Sequence, residues 1–327
     1  MQHLVLTQFG DPQHSVQLTD TAEATPDEGQ VSVRLEAAAI NPSDLLLVRG
    51  KYLIHPKLPA TVGAEGVGIV TEAGAGVDLT LVGKRVILLP TYEYGTWSEK
   101  VVVPADNVVE VPDDADPLQL AMVTINPPTA HLLLERADLE VGDWVGQTAA
   151  NSAVGRLVVA LAKRRGLKTL NVVRREDVAE EIRRAGGDVV LVSGPTLAAD
   201  IERELGGQEL SLVIDPLGGT SAAELVGALK FGGTAITYGS LTGAPTAPSS
   251  AALFAKEVSF TGFWLGNWYF SAPRTQVADT LSYLAGLVAD GELTVPVEGT
   301  YHLDEYDKAF AHAETTKRGG KVLFTFD

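Results

Sequence analysis

Cysteine is absent from this 327-residue chain, methionine occurs twice, and aromatic residues make up only 6% of it. Without a thiol there is no disulfide, no thiolate nucleophile, no iron–sulfur cluster and no cysteine-ligated zinc. Positive charge is scarce as well: 25 Lys and Arg stand against 42 Asp and Glu, for a formal net charge of −17. Such a surface repels phosphate backbones and anionic lipid, so neither nucleic acid nor membrane is an expected partner. Charges interrupt every apolar stretch before it reaches membrane-spanning length. The opening MQHLVLTQFGDP reads as a strand, without the basic and apolar regions of a secretory leader. A soluble, cytoplasmic protein is the expectation.

Metal and hydrolase chemistry lack their usual residues too. The histidines, His3, His14, His55, His131, His302 and His312, do not pair at ligand spacing. There is no G-x-S-x-G elbow and no phosphate-loop pattern.

What is present is a chain with 45% apolar residues, long enough for two domains. The first third is a series of short β-branched runs, HLVLTQF, QVSVRLEAAAI, VGIVTEAG, KRVILLP and SEKVVVP, punctuated by Gly, Pro and Asp. Helical spacing is nearly absent before residue 116, which suits a small, irregular antiparallel barrel. From Asp116 the rhythm changes. PLQLAMVTINPPTAHLLLERA has helical spacing broken at Pro127–Pro128, and apolar strands then alternate with amphipathic helices. DWVGQTA, KTLNVV, VVLVSG, LSLVIDPLGG and GGTAITYGS are the strands, and VGRLVVALAKRRG and EDVAEEIRRAGG are the clearest helices. That alternation predicts a parallel, doubly wound sheet of the dinucleotide-binding type. A helix over about residues 273–289 precedes a return to β character, and this last segment is expected to rejoin the first domain.

The turn after DWVGQTA is the best cofactor candidate. A strand passes into a helix there, and a helix N-terminus attracts anions through its free N–H groups. The glycine fingerprint is degraded to Ala150, Ser152 and Gly155, so an ordinary capped helix start is the alternative. At the end of the second strand, where an NAD site wants an acid, stand Arg174 and Arg175. Guanidinium groups match a 2′-phosphate and favour NADPH; the alternative is two arginines on a polar surface, neutralised by Glu176 and Asp177. Hydride transfer then needs a proton source, for which a tyrosine hydroxyl is suited. Spacing alone does not choose among the eight tyrosines.

Eight segments stand in register along the chain: Asn41–Pro42–Ser43–Asp44, Gly50–Lys51–Tyr52, Gly63–Ala64–Glu65–Gly66, Asn126–Pro127–Pro128–Thr129–Ala130, Asn151–Ser152–Ala153–Val154–Gly155, Asn171–Val172–Val173–Arg174, Tyr238–Gly239 and Gly262–Phe263–Trp264–Leu265. Together they resemble the medium-chain dehydrogenase/reductase superfamily, in its trans-2-enoyl-thioester reductase branch. The resemblance implies a GroES-like β-barrel catalytic domain plus a Rossmann-type domain, with expected spans of 1–122, 123–268 and a return segment 269–327. Zinc-dependent members carry Gly-His-Glu where this chain has Gly63–Ala64–Glu65, so a zinc-free enzyme is expected.

The resemblance further implies Tyr52 as the catalytic residue, stabilising or protonating an enolate. The implied cofactor residues for NADPH are Asn126, Asn151, Ser152, Ala153, Val154, Arg174, Arg175, Tyr238, Phe263, Trp264, Leu265 and Lys321. Asn41, Trp264 and Trp268 are candidates for the substrate end; turn-building is the alternative for Asn41 and core packing for the two tryptophans. The small-molecule substrate is expected to be an enoyl thioester. Quinone or alkenal reduction is the second reading, and a nucleotide-binding accessory protein without turnover the third. The resemblance also implies a homodimer, and GFWLGNWYF reads as an exposed apolar edge strand.

Overall fold

Short β-branched runs form the first strands, and the longest of them, over residues 30–39, is buried on both faces along much of its length. The computed structural model describes residues 1–315 and 318–326. The chain divides into two units, Met1–Pro128 with Gly266–Asp327, and Thr129–Leu265.

The first unit holds β1 (Gln2–Leu6), β2 (Val16–Asp20), β3 (Gln30–Ala39), β4 (Ala60–Thr61), β5 (Gly66–Ala73), β6 (Arg85–Leu88), β7 (Lys100–Pro104) and β8 (Val108–Glu110). Val31, Val33 and Leu35 of β3 pack with Val70, Val86, Leu88, Val101 and Val103 in one apolar cluster. Burying a Val or Leu contributes about 1.5–3 kcal/mol, so this layer is a main source of the unit's stability.

In the second unit lie β9 (Trp144–Gln147), β10 (Lys168–Val173), β11 (Val189–Val192), β12 (Leu210–Asp215), β13 (Leu229–Thr237) and β14 (Ser259–Gly262). They form a six-stranded sheet in the order β11-β10-β9-β12-β13-β14, with every pairing parallel. This is the doubly wound order, and its switch point falls between β9 and β12. Helices Ala153–Arg164 and Glu176–Arg184 follow β9 and β10.

The chain then returns to the first unit with β15 (Val297–Tyr301) and β16 (Lys321–Thr325). Strand β16 pairs parallel with β15 and antiparallel with β3, Leu323 facing Ala39. Extended by one turn of the ladder, that register sets Lys321 opposite Asn41, and Ile40 N donates to Val322 O at 3.0 Å between them.

Several elements differ from the sequence reading. GFWLGNWYF is not one strand: β14 stops at Gly262 and Leu265–Ser271 is helical. Leu265 and Tyr269, four residues apart, are both buried, and that spacing is the helical signal that the apolar run concealed. The prolines 127 and 128 do not break a helix but begin one, since Asn126–Leu134 starts just before them. Their missing N–H groups cost nothing in a first turn. A helix Pro42–Val48 also sits in the strand-rich third. Among the described residues, no helix is long and apolar enough to cross a membrane.

Candidate active site

In a parallel sheet all strands end at the same edge, so residues that directly follow them are neighbours whatever their separation in sequence. Asn151, Ser152, Ala153 and Val154 follow β9, Arg174 and Arg175 follow β10, Tyr238 follows β13, and Phe263, Trp264 and Leu265 follow β14. The second unit therefore gathers these ten candidates along one edge.

The turn after β9 is tightly made. Ala149 has φ +50°, and a Cβ on Gly155 would come within 2.6 Å of the Ala150 carbonyl oxygen. Only glycine lets the helix start so close to the strand end. Gln147, buried, donates to Gly155 O at 2.9 Å and to Asn171 Oδ1 at 2.7 Å, fastening the first two strands to that helix. Ser152 caps the helix by accepting from Gly155 N at 3.1 Å. The first-turn amides of Ala153 and Val154 have no carbonyl one turn behind them, which leaves an anion-seeking end. Burial pushes the Tyr238 phenol up, partly offset by a hydrogen bond with Ser152. Arg174 is exposed, and Arg175 pairs with Asp177 at 3.1 Å. That pair is largely solvated and worth little, so a phosphate can displace it. These residues fit a dinucleotide.

The first unit holds the other candidates. Asn41 is buried: its Nδ2 donates to Glu65 Oε1 at 2.7 Å and its backbone N–H to Asp44 Oδ2 at 2.8 Å. Its Oδ1 accepts from Asn126 Nδ2 at 3.4 Å and from Lys321 Nζ. Glu65 Oε2 also accepts from Ile125 N at 2.9 Å and from Thr124 Oγ1 at 3.4 Å. Asn41, Asn126 and Lys321 are thus brought together, and the Asn41 amide is engaged by protein partners. Trp268 packs on Tyr269 with ring centroids 4.9 Å apart, and its buried Nε1 has no acceptor among the described residues. The Tyr52 hydroxyl lies 3.3 Å from that of Tyr92.

Two carboxyls and one ammonium are buried in this cluster. Burial raises Glu65 and lowers Lys321 from their ordinary values, the latter offset by the Glu65 and Asp44 charges. Burial, reinforced by Glu65, pushes Asp44 up to about 7, against Lys321 and the Asn41 hydrogen bonds. The folded protein therefore keeps a proton on Asp44 that the unfolded chain has released. This costs stability as pH rises from about 4 to 7, and the cost is complete above 7. Asp44→Asn should remove it, since Asn Oδ1 still accepts from Asn41 N. In thermal unfolding, the variant's advantage over the wild type should be larger at about pH 8 than at about pH 4, by on the order of 1 kcal/mol or more. An equal difference at both pH values would refute the assignment.

Sequence reasoning missed several residues. Asp215, at the end of β12, accepts from Gly218 N at 2.8 Å, Leu217 N at 3.1 Å and Thr246 Oγ1 at 3.2 Å, as well as from Thr148. An acid ending an apolar strand before Pro-Leu-Gly-Gly was the available signal. Tyr92 had no signal at all.

A doubly wound dinucleotide-type unit, inserted in sequence between two parts of a mainly antiparallel β unit, is the organisation of the medium-chain dehydrogenase/reductases. Residues 27–113 match the family described as alcohol dehydrogenase GroES-like domain, and residues 185–323 the one described as zinc-binding dehydrogenase. The mitochondrial enoyl-[acyl-carrier-protein] reductase of Xenopus tropicalis is 33% identical, with 95% of this chain and 91% of that protein covered. The corresponding reductase of Rattus norvegicus is 33% identical over 94% of this chain and 83% of its own length. A provisionally assigned NADPH:quinone reductase from Bacillus thuringiensis superposes with a TM-score of 0.92 at 30% identity, covering 100% of this chain and 99% of that one. The chain belongs to the enoyl-thioester reductase branch of the medium-chain dehydrogenase/reductase superfamily, a family of oxidoreductases.

The residues do not fit a zinc ion. Among the described residues no three His, Cys, Asp or Glu groups converge. Glu65, beside the position of the zinc-dependent members' histidine, is held by Asn41, Thr124 and Ile125.

Proposed function

We propose that the protein reduces the activated carbon–carbon double bond of 2-enoyl thioesters at the expense of NADPH. The observation that carries this reading is the half-buried Tyr52 hydroxyl, 3.3 Å from a second phenol, that of Tyr92. NADPH, when bound, supplies hydride to the β-carbon. The first-turn amides of Ala153 and Val154, with Ser152, would receive the pyrophosphate, and Arg174 and Arg175 the 2′-phosphate. Tyr238 and the segment Phe263 to Leu265 complete the same sheet edge. Tyr52 holds the proton that the enolate carbon takes up, and the Glu65–Asn41–Lys321 network fastens the end of β3 and the helix that leads to it. Reduction of quinones or alkenals is the second reading, favoured by the fold likeness to a reductase of that kind.

The test is NADPH consumption with a series of 2-enoyl thioesters beside a quinone. Thioesters should be turned over faster; a quinone preferred over every thioester would replace the first reading with the second.

We also propose a homodimer built on β14. Among the described residues this strand pairs only with β13, all four of its residues are exposed, and Phe260 is 41% accessible. A bare edge with an apolar side chain invites a second strand. Phe260→Lys should move the protein to a monomer in sedimentation velocity, and a wild type already monomeric would remove the proposal.

A further inference from the structure

Tyr92 is unusual before its partners are considered. It is a bulky residue at φ +62°, a left-handed conformation that side chains of this size rarely adopt. Such conformations persist only where the surroundings over-determine them, and they cluster at functional sites. Here they do. Thr91 N donates to Leu89 O at 2.9 Å, Tyr94 Oη donates to the same carbonyl at 2.5 Å, and Thr96 N donates to Gly63 O at 3.1 Å. Between them Gly95 lies so close to Val62 that a Cβ would meet the Val62 amide nitrogen at 2.2 Å. The loop is pinned on both sides of Tyr92, and the pinned conformation brings its hydroxyl to 3.3 Å from that of Tyr52, with ring centroids 6.0 Å apart.

We propose that Tyr92 is a positioning residue for the reduction, donating its O–H to the Tyr52 oxygen as Tyr52 gives up its proton. The proposal rests on the reading of Tyr52 as the proton source. The step balances simply: hydride adds at the β-carbon, the O–H bond of Tyr52 breaks, and its proton goes to the α-carbon. The Tyr52 oxygen is left as a phenolate that solvent later reprotonates. In the resting state either phenol can donate, but a phenolate can only accept, so proton transfer fixes the direction of the hydrogen bond.

A bond to an ionised acceptor is about twice as strong as a neutral one. The contact therefore favours the transition state over the ground state, which is the condition for raising turnover rather than binding. Tyr92 suits the task because burial, with Tyr52 and Asp44 beside it, holds its phenol well above the ordinary value, so it stays protonated. It also lines a cavity shared with Asp44 and Tyr94, whose volume of about 10 Å³ is close to the space of one water.

Tyr92→Phe removes the hydroxyl alone. Turnover of a 2-enoyl thioester should fall about 10-fold with KM nearly constant, and the solvent deuterium isotope effect on kcat should grow. The unfolding temperature and the affinity for NADPH should stay as in the wild type. A packing role alone would not enlarge the isotope effect. In protein carrying tyrosine labelled at the ζ-carbon, the Tyr52 resonance, identified by its loss in Tyr52→Phe, should move in Tyr92→Phe. Unchanged kcat and isotope effect in Tyr92→Phe, while Tyr52→Phe is slow, would overturn the proposal. If Tyr52→Phe is not slow, the reading of the reaction fails instead, and the labelled resonance still decides the pairing: an unmoved Tyr52 signal rules it out.

Discussion

Tyr52→Phe should lower turnover of 2-enoyl thioesters by about 10²-fold or more, the usual range for loss of one positioned acid. Quinone reduction by the same variant should hardly change. A quinone takes its protons on oxygen, from water if need be, whereas the α-carbon of a thioester enolate benefits from a donor held in place. The shape of the effect matters as much as its size. The phenol acts after hydride has arrived, so the loss should fall on kcat and leave KM near the wild-type value. Steady-state kinetics with both acceptors measure this. Equal losses on thioester and quinone would mean that the ring only packs, and the proton source would have to be sought elsewhere.

Replacing both Arg174 and Arg175 by alanine should weaken NADPH by about 10²-fold and NADH only slightly, because charge-assisted bonds to the 2′-phosphate are lost and nothing else is. Both arginines should contribute, since the solvated Arg175–Asp177 pair holds that guanidinium only weakly. Equilibrium titration by cofactor fluorescence reads both affinities. Raising salt should narrow the wild-type preference for NADPH, because both arginines lie near the surface and their attraction is screened. Parallel losses for the two nucleotides would refute a role in phosphate recognition.

How far these sites were legible in the sequence depended on whether their residues share a local pattern. The parallel sheet announced itself through apolar strands alternating with amphipathic helices, and once strand ends are known, residues 151–154, 174–175 and 238 fall on one edge by topology alone. Helix Leu197–Leu205 escaped notice although Leu197, Ile201 and Leu205 recur at helical spacing and are all buried, because a short element beside Pro195 blends with its turn. In GFWLGNWYF dense aromatic character masked a change from strand to helix.

The cluster in the first unit was harder. Asn41, Glu65, Asn126 and Lys321 were noticed one by one as parts of motifs. Their mutual hydrogen bonds come from an antiparallel register that joins residues 280 positions apart, which no local window shows. Tyr92 was invisible for a different reason: its position depends on a left-handed backbone angle that nothing in TYEYG specifies.

The strand that carries Lys321 has a consequence for how the protein is made. On the ribosome, β3 and the acids 44 and 65 emerge long before their central partner strand and its lone ammonium. At about 5–20 residues per second, more than ten seconds of synthesis separate them. The intervening unit, being continuous in sequence, is free to fold during that interval, while the earlier segment waits with an open sheet edge and with Glu65 lacking the Lys321 charge. Completion of the sheet that β3 shares with β16 is thus deferred until residues 321–325 have been made, and the nascent segment before residue 128 is the stretch for which a chaperone would matter most.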